Sequence, residues 1–432
     1  MGEYLKDVAI IGAGLGGCAL ALALSQQNIP ITVYESRPRG HDVLKSGVVL
    51  TPNGLWILDQ LGVFARIKDR CFKATHRVFK NDKDETVRKT LVADESLYGY
   101  RNHRIWRKLL LDEMKVMLEE RGVGIHYDSV FNGVETEDEE GVTFLINGQP
   151  RTASLLIGLD GIYSHVRQYL DPSIVPEYTG TTGVLAHIKR ASVAWPYADY
   201  EPNATIQGKP GAIFFLPEDP QHEDIMIGMQ VQYPEQSRED LEKLQTDYDR
   251  LLQFYRKGYE EHGATARCII DRIAENRETL YIWPYLKMPK LGRWFSRAGR
   301  VVLAGDGAHA LPPSSGQGVN QALEDVYSLT LLLKSSEPDK KAANGAAQTT
   351  NGATTPNHTL LDTLAFWQQM RQKRIDSIID WVSNYQNVER LPEAERKKLA
   401  SQGKDGAKGD DMRWLYEQSI ERDVKAWVDG KA

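Results

Sequence analysis

A chain of 432 residues with 41% hydrophobic side chains can bury a large core and fill two or three domains of about 150 residues each. Its 53 basic and 59 acidic residues are interspersed and leave a net charge of −6, which argues against a nucleic-acid partner or a polybasic membrane contact. Cys18, Cys71 and Cys268 are too scattered for a disulfide framework or a metal site, and no apolar run nears the roughly 20 residues of a transmembrane segment.

The first strand is expected at Val8 to Ile11, starting almost at once and leaving no room for a signal peptide, so the expected location is cytoplasmic. Gly12-Ala13-Gly14-Leu15-Gly16-Gly17 follows, then a helix of small residues from Cys18 to Gln26 and a second strand from Ile31 to Tyr34, ending at Glu35. Strand, GxGxxG, helix, strand and an acid about 20 positions on form the dinucleotide fingerprint. Gly12 makes the tight turn, Gly14 lets the backbone approach a pyrophosphate, Gly17 lets helix and strand pack closely, and Glu35 takes the adenosine ribose hydroxyls. The fingerprint alone does not separate NAD from FAD, which share this ADP half.

From Ser46 an extended segment turns at Pro52-Asn53-Gly54 into an amphipathic helix, and Thr75 to Leu91 alternates like strands of a second sheet. Trp106 to Arg121 reads as a helix with Leu109, Leu110, Met114, Met117 and Leu118 on its apolar face. Arg107, in its first turn, reads in isolation as a solvated helix arginine. The acidic run Glu135 to Glu140 reads as a solvated turn. Asn147-Gly148 signals a hairpin between Val142 to Ile146 and Arg151 to Ile157. A strand then runs into Asp160-Gly161 and a helix that holds Ser164 and Arg167.

Between Tyr178 and Trp283 the pattern is alternating strands interrupted by a helical, charged stretch from Glu239 to His262, as in a mainly antiparallel sheet that lids a substrate pocket. His187, Arg190, Gln230 and Tyr281 could orient a substrate there, although single polar residues on strands are ordinarily plain sheet residues. Val301 to Ala304 form a third strand-to-acid junction, at Gly305-Asp306-Gly307. Asp306 can accept hydrogen bonds from polyol hydroxyls, Gly316 and Gly318 let the backbone approach a flat ring, and a helix from about Val319 points its positive end at that place. His309 beside this loop is expected to make a structural hydrogen bond. Ser335 to Thr359 and Ser401 to Asp410 read as polar surface loops. The helical segment from Leu360 is expected to place Phe366, Ile375, Ile378 and Trp381 on one face.

Three junctions, at residues 12, 160 and 306, set glycine and acid at strand ends. In this order they resemble the single-component FAD-dependent aromatic hydroxylases, the group A flavoprotein monooxygenases, and particularly fungal salicylate-hydroxylase-like members. The resemblance implies an α/β fold: a Rossmann-like FAD-binding domain interleaved with a mainly antiparallel substrate domain and a C-terminal helical segment. The implied division is 1–74, 101–177 and 285–334 for FAD, 75–100 and 178–284 for substrate, a low-complexity loop over 335–359, and helices over 360–432.

It also implies the cofactor-binding residues. Gly12, Gly14, Gly17 and Glu35 would take the ADP half, with Arg37 beside them. Arg107, which matches a flavin-contacting arginine, would sit near the ring. Asp160 and Gly161 would touch FAD and the incoming nicotinamide, with Arg167 in the same motif. Asp306 would hold the ribityl chain, and Pro313, Gly316, Gly318 and Val319 would line the flavin. No second GxGxxG is present, so NAD(P)H is expected as a transient reductant, with O2 as co-substrate. The implied activity is hydroxylation or epoxidation of an electron-rich aromatic or indolic small molecule through a flavin hydroperoxide, in the setting of fungal secondary metabolism. No catalytic side chain is identified. The alternatives are another flavoenzyme of this fold, such as a dehydrogenase, oxidase or halogenase, or a non-enzymatic binding protein on the same scaffold.

Overall fold

A computed structural model describes residues 5–41, 46–335, 359–383, 393–402, 411–417 and 419–430. A parallel five-stranded sheet forms its centre, built from β1 (Val8–Ile11), β2 (Ile31–Tyr34), β8 (Ile125–His126), β12 (Leu155–Gly158) and β18 (Val301–Leu303) in the order β18-β12-β1-β2-β8. β1, β12 and β18 are buried at every position, as strands covered on both faces must be. The helix after β1 begins at Leu15, three residues earlier than the spacing suggests. Gly14 is its N-cap, and Gly16 and Gly17 lie in its first turn.

β3 (Gly47–Leu50), β4 (Phe72–Ala74) and β7 (Asn102–Trp106) make a small antiparallel sheet beside the core. Pro52-Asn53-Gly54 is the first turn of the Pro52–Gln60 helix, not a turn ahead of it, because proline at N1 gives up an amide that has no intrahelical partner. In the Arg107–Glu120 helix the buried face is Leu110, Leu111, Met114, Met117 and Leu118, so Leu111 takes the place expected of Leu109.

A meander of β9 (Phe131–Glu137), β10 (Val142–Ile146) and β11 (Gln149–Ala153) follows. Asn147 and Gly148 both have positive φ, as a two-residue hairpin turn requires. The acidic run is therefore only partly a turn: Glu137 closes β9 and accepts from Ser296, Ala298 and Tyr169. The expected strand Arg151 to Ile157 is two strands in different sheets. They part at Ser154, whose amide and hydroxyl bond Asp7.

The largest sheet has seven strands in the order β17-β13-β16-β15-β14-β5-β6. Its members are β5 (His76–Asn81), β6 (Thr86–Leu91), β13 (Glu177–Lys189), β14 (Ala204–Gln207), β15 (Ala212–Pro217), β16 (Asp224–Gln232) and β17 (Tyr281–Lys287). Every pairing is antiparallel except β14 with β5. Helices from Arg238 to Glu275 cover one face, and their apolar residues share a core with it. The helical interruption thus extends past His262. The other face, with Leu185, Phe214, Met226 and Tyr281, turns toward the parallel sheet.

The Leu360–Trp381 helix starts at a capping box formed by Thr359 and Asp362. Its buried face is Leu364, Trp367, Arg371, Ile375 and Ile378, with Phe366 and Trp381 at the margins. The two polar loops expected in this half lie outside the described residues, apart from Ser335, which ends the Gly318–Ser335 helix, and Thr359, Ser401 and Gln402. Among the described residues no helix is long and apolar enough to cross a membrane, and no cluster of potential metal ligands occurs.

Candidate active site

The three acid-glycine junctions come together because β1, β12 and β18 are neighbours and all point the same way. In such sheets ligands bind beyond the carboxyl ends of the strands. Gly12 has φ +103°, and a Cβ there would stand 2.4 Å from the Leu159 carbonyl oxygen, so the first junction touches the second. A Cβ at Gly17 would stand 1.9 Å from the Gly12 carbonyl oxygen, whereas one at Gly14 would meet nothing within 4 Å. Gly17 is therefore required by the fold. Gly14 leaves space open at a helix N-terminus, on the edge of a large cavity.

Glu35 accepts from the Ala13 amide through Oε2 at 2.8 Å and from the Arg37 amide through Oε1 at 3.0 Å. The Ser36 hydroxyl also donates to Oε1 at 3.4 Å, and because a carboxylate has about four acceptor sites, room remains for a further hydroxyl. Arg37 is exposed, and neither it nor Glu35 is among the residues lining the cavity. Asp160 Oδ2 accepts from the His165 and Val166 amides, while its buried Oδ1 has no partner. Gly161, with φ +84°, faces the cavity. Arg167 does not face it. Buried, it donates to the carbonyls of Ile162, Ile174 and Gly307, tying the second junction to the third.

Asp306 lines the cavity, with Oδ1 3.8 Å from where a Cβ on Gly318 would lie. Pro313, Gly316, Gly318 and Val319 line it too, as does Ser314, whose buried hydroxyl has no partner. Arg107 faces the same space, half-buried, and its side chain makes no hydrogen bond among the described residues. Burial holds its guanidinium below the ordinary value, partly offset by Asp306. The cavity measures about 780 Å³, and its far wall is the inner face of the seven-stranded sheet, including Leu185, Phe214, Leu216, Met226, Tyr281 and Trp283. Of the four sheet candidates, Tyr281 alone belongs to this lining. His187 contacts Glu218, Arg190 donates to the Tyr200 carbonyl, and Gln230 lies outside the wall.

Beneath the loop runs a buried polar network that the sequence pattern does not signal. Asp325 Oδ2 accepts from the Gly305 amide at 2.9 Å and pairs with His309 Nε2 at 2.5 Å, the structural role expected of His309. Arg371 binds Asp325 Oδ1 at 2.8 Å and Glu324 Oε2 at 2.5 Å. Glu324 Oε1 accepts from Asn53 at 2.7 Å. Asn320 bonds the Thr51 amide and the carbonyls of Val49 and Gly316, fastening the loop to β3. Burial alone would raise both carboxyls. Arg374 and Arg371 bring Glu324 below its ordinary value, and His309 and Arg371 do the same for Asp325.

Residues 6–339 match the family described as FAD binding domain, and the chain belongs to that family. It is an FAD-dependent monooxygenase. It is 26% identical over 370 residues to kynurenine 3-monooxygenase of Salinispora arenicola, covering 80% of this chain and 76% of that protein. With hispidin-3-hydroxylase of Neonothopanus nambi it shares 28% identity over 362 residues, covering 77% and 81% of the two chains. A salicylate hydroxylase substrate complex superposes with a TM-score of 0.73 at 20% identity, covering 98% of each chain.

Proposed function

We propose that this enzyme uses NAD(P)H and O2 to hydroxylate or epoxidise an electron-rich aromatic or indolic small molecule. The observation that carries this reading is the continuity of one cavity from the strand ends to an aromatic-walled chamber. The names of the two sequence relatives, a kynurenine monooxygenase and a hispidin hydroxylase, support an aromatic substrate. A cytoplasmic enzyme of fungal secondary metabolism is part of the proposal. Cys18, Cys71 and Cys268 are free, and burial pushes the Cys18 and Cys71 thiols up to about 12, which leaves them inert.

In this reading residues 1–74, 101–177 and 285–334 hold FAD, while 75–100 and 178–284 roof the substrate, with β17 carrying the roof on to Lys287. Gly12, Gly14, Gly17, Glu35 and Arg37 hold the ADP half, Asp160 and Gly161 its middle, and Asp306 the ribityl hydroxyls. Pro313, Gly316, Gly318 and Val319 bed the ring. The unpartnered Ser314 Oγ and the desolvated Arg107, both on the cavity lining, fit such a polar cofactor. Bound FAD supplies the redox chemistry, taking reducing equivalents from NAD(P)H and activating O2. Arg107 and the first-turn amides of the Gly318–Ser335 helix favour negative charge at the ring, and the sheet wall excludes water.

Purified protein should be yellow and should oxidise NADH or NADPH faster when a phenol or indole is accepted, with one oxygen atom from ¹⁸O2 in the product. A colourless protein that FAD cannot reconstitute would overturn the reading. Product without labelled oxygen would instead indicate a dehydrogenase or oxidase. D306A is expected to weaken FAD binding by about 1.5–3 kcal/mol, roughly 10- to 150-fold, as measured by fluorescence titration.

A further inference from the structure

On one side of the chamber Arg104 of β7 is paired with Glu218, Nη2 to Oε1 at 2.6 Å. Two residues earlier, on the same face of β7, stands Asn102. With Thr90 of β6 and with Trp381, Met412 and Tyr416 it lines a different corner of the cavity. Several contacts draw this corner together. Asn102 pairs with Ala74 in the small sheet, and the next residue, Thr75, accepts from the amides of Val92 and Ala93 just past β6. Asn102 also bonds the Tyr416 side chain, and Trp414, in the same short Arg413–Tyr416 helix, packs edge-on against Trp381 at the end of the Leu360–Trp381 helix.

The corner is rich in unused hydrogen-bonding capacity. Thr90 Oγ1, Asn102 Oδ1 and Trp381 Nε1 are all buried and have no hydrogen-bond partner among the described residues. A buried donor or acceptor left unmade costs the desolvation of that group, and each such atom calls for an explanation. Three of them on the wall of one cavity have a common explanation in a ligand that completes them. An indole N–H only donates, an amide oxygen only accepts and a hydroxyl does either. Their complement carries a carbonyl beside an N–H or O–H. Charge narrows the choice. Arg77 and Arg88 line the same cavity, stacked on Phe79 at 5.2 and 4.4 Å from its ring centre, and disfavour a cation there, while the Asn102 oxygen disfavours a carboxylate. Trp381, Met412 and Tyr416 also stand beyond residue 339, where the match to the family ends, so this wall is supplied by the chain's C-terminal part.

We propose that Thr90, Asn102 and Trp381 form a recognition point for an uncharged tail that carries both a hydrogen-bond donor and an acceptor, such as a secondary amide, so that the substrate is an aromatic ring bearing such a tail. This rests on the monooxygenase reading and narrows it.

The test uses the full-length, FAD-loaded enzyme and two series of probes that keep the ring and vary the tail. One is N-acetyltyramine, 4-pentylphenol, tyramine and 3-(4-hydroxyphenyl)propionate, and the other is N-acetyltryptamine, 3-pentylindole, tryptamine and indole-3-propionate. Binding is measured from the perturbed absorbance of the flavin, and KM and kcat from stimulated NAD(P)H oxidation. In at least one series the N-acetyl probe should bind about 10-fold or more tightly than the other three, because a site built to hydrogen-bond rejects a ligand that leaves its groups unpaired. T90V, N102L and W381F each remove one of the three atoms with little change of shape. Each should raise the KM of the N-acetyl probe by about 10-fold with a smaller change in kcat, and narrow the N-acetyl-to-pentyl ratio. T90S, which keeps the hydroxyl, should retain that ratio. A purely structural role would shift the melting temperature and leave the ratio where it was. If one variant loses FAD, the ratios of the other two decide.

Pentyl probes bound as tightly as N-acetyl probes in both series, tighter binding of the amines or the acids, or a preference that survives all three variants would overturn the recognition point. If the protein takes up FAD and its NAD(P)H oxidation responds equally to pentyl and N-acetyl probes, the recognition point alone fails. If it takes up no FAD, the monooxygenase reading fails and the recognition point falls with it.

Discussion

Replacing Arg371 with methionine is expected to lower the unfolding free energy by about 3–5 kcal/mol, the usual cost of stripping the partner from a buried charge. Here two carboxylates, Glu324 and Asp325, lose their shared guanidinium inside the core. Thermal and urea melts of apoprotein would show the change. R371M/E324Q/D325N, with no bare charge left, should recover much of the loss. The effect should also depend on pH. Both carboxyls are depressed in the folded state, so their contribution is present above the unfolded pKa values of about 4 and is lost as pH falls through the lower folded values. The gap between wild type and R371M should therefore narrow on acidification. An equal gap at pH 7 and pH 3 would count against the network as drawn.

The second large effect is a contrast between two glycines three positions apart. Gly14→Val should leave a folded protein that binds FAD more than 100-fold less tightly, because the added methyl groups enter space where the protein has no atoms within 4 Å of the new Cβ and a pyrophosphate is proposed to lie. Gly17→Val should prevent folding, since its Cβ would overlap the Gly12 carbonyl oxygen at 1.9 Å. Circular dichroism separates fold from cofactor content measured by absorbance. A yellow, fully loaded Gly14→Val protein would refute the proposed path of the pyrophosphate.

Whatever depends on local order along the chain was legible in the sequence. The strand, GxGxxG and acid spacing placed β1, its helix, β2 and Glu35, and the acid-glycine pairs at 160 and 306 marked two more strand ends. Parallel neighbours in one sheet then brought them together. Boundaries slipped where one residue serves two elements, as at Pro52, which starts a helix, and at Ser154, where the chain changes sheet.

The polar network escaped for a physical reason. Asn320, Gln321, Glu324 and Asp325 recur at the spacing of one helix face, which ordinarily marks the solvated side. Here that face is buried, because Arg371 and Asn53 meet it. Arg104 and Glu218 are separated by 114 positions, and neither stands in a motif. Only tertiary structure pairs them. Arg167 was legible as part of a motif but not in its role, because its three carbonyl partners come from three separate places whose positions the pattern does not give.

Arg371 has a consequence for how this protein can be divided. It stands beyond residue 339, where the match to the FAD binding domain ends, yet it neutralises Asp325, the acid that accepts from the Gly305 amide. The nucleotide-binding half is therefore not a portable module. A fragment trimmed to the family boundary would leave Glu324 without either arginine and Asp325 with His309 alone, and a chimera would need the Leu360–Trp381 helix transplanted along with it.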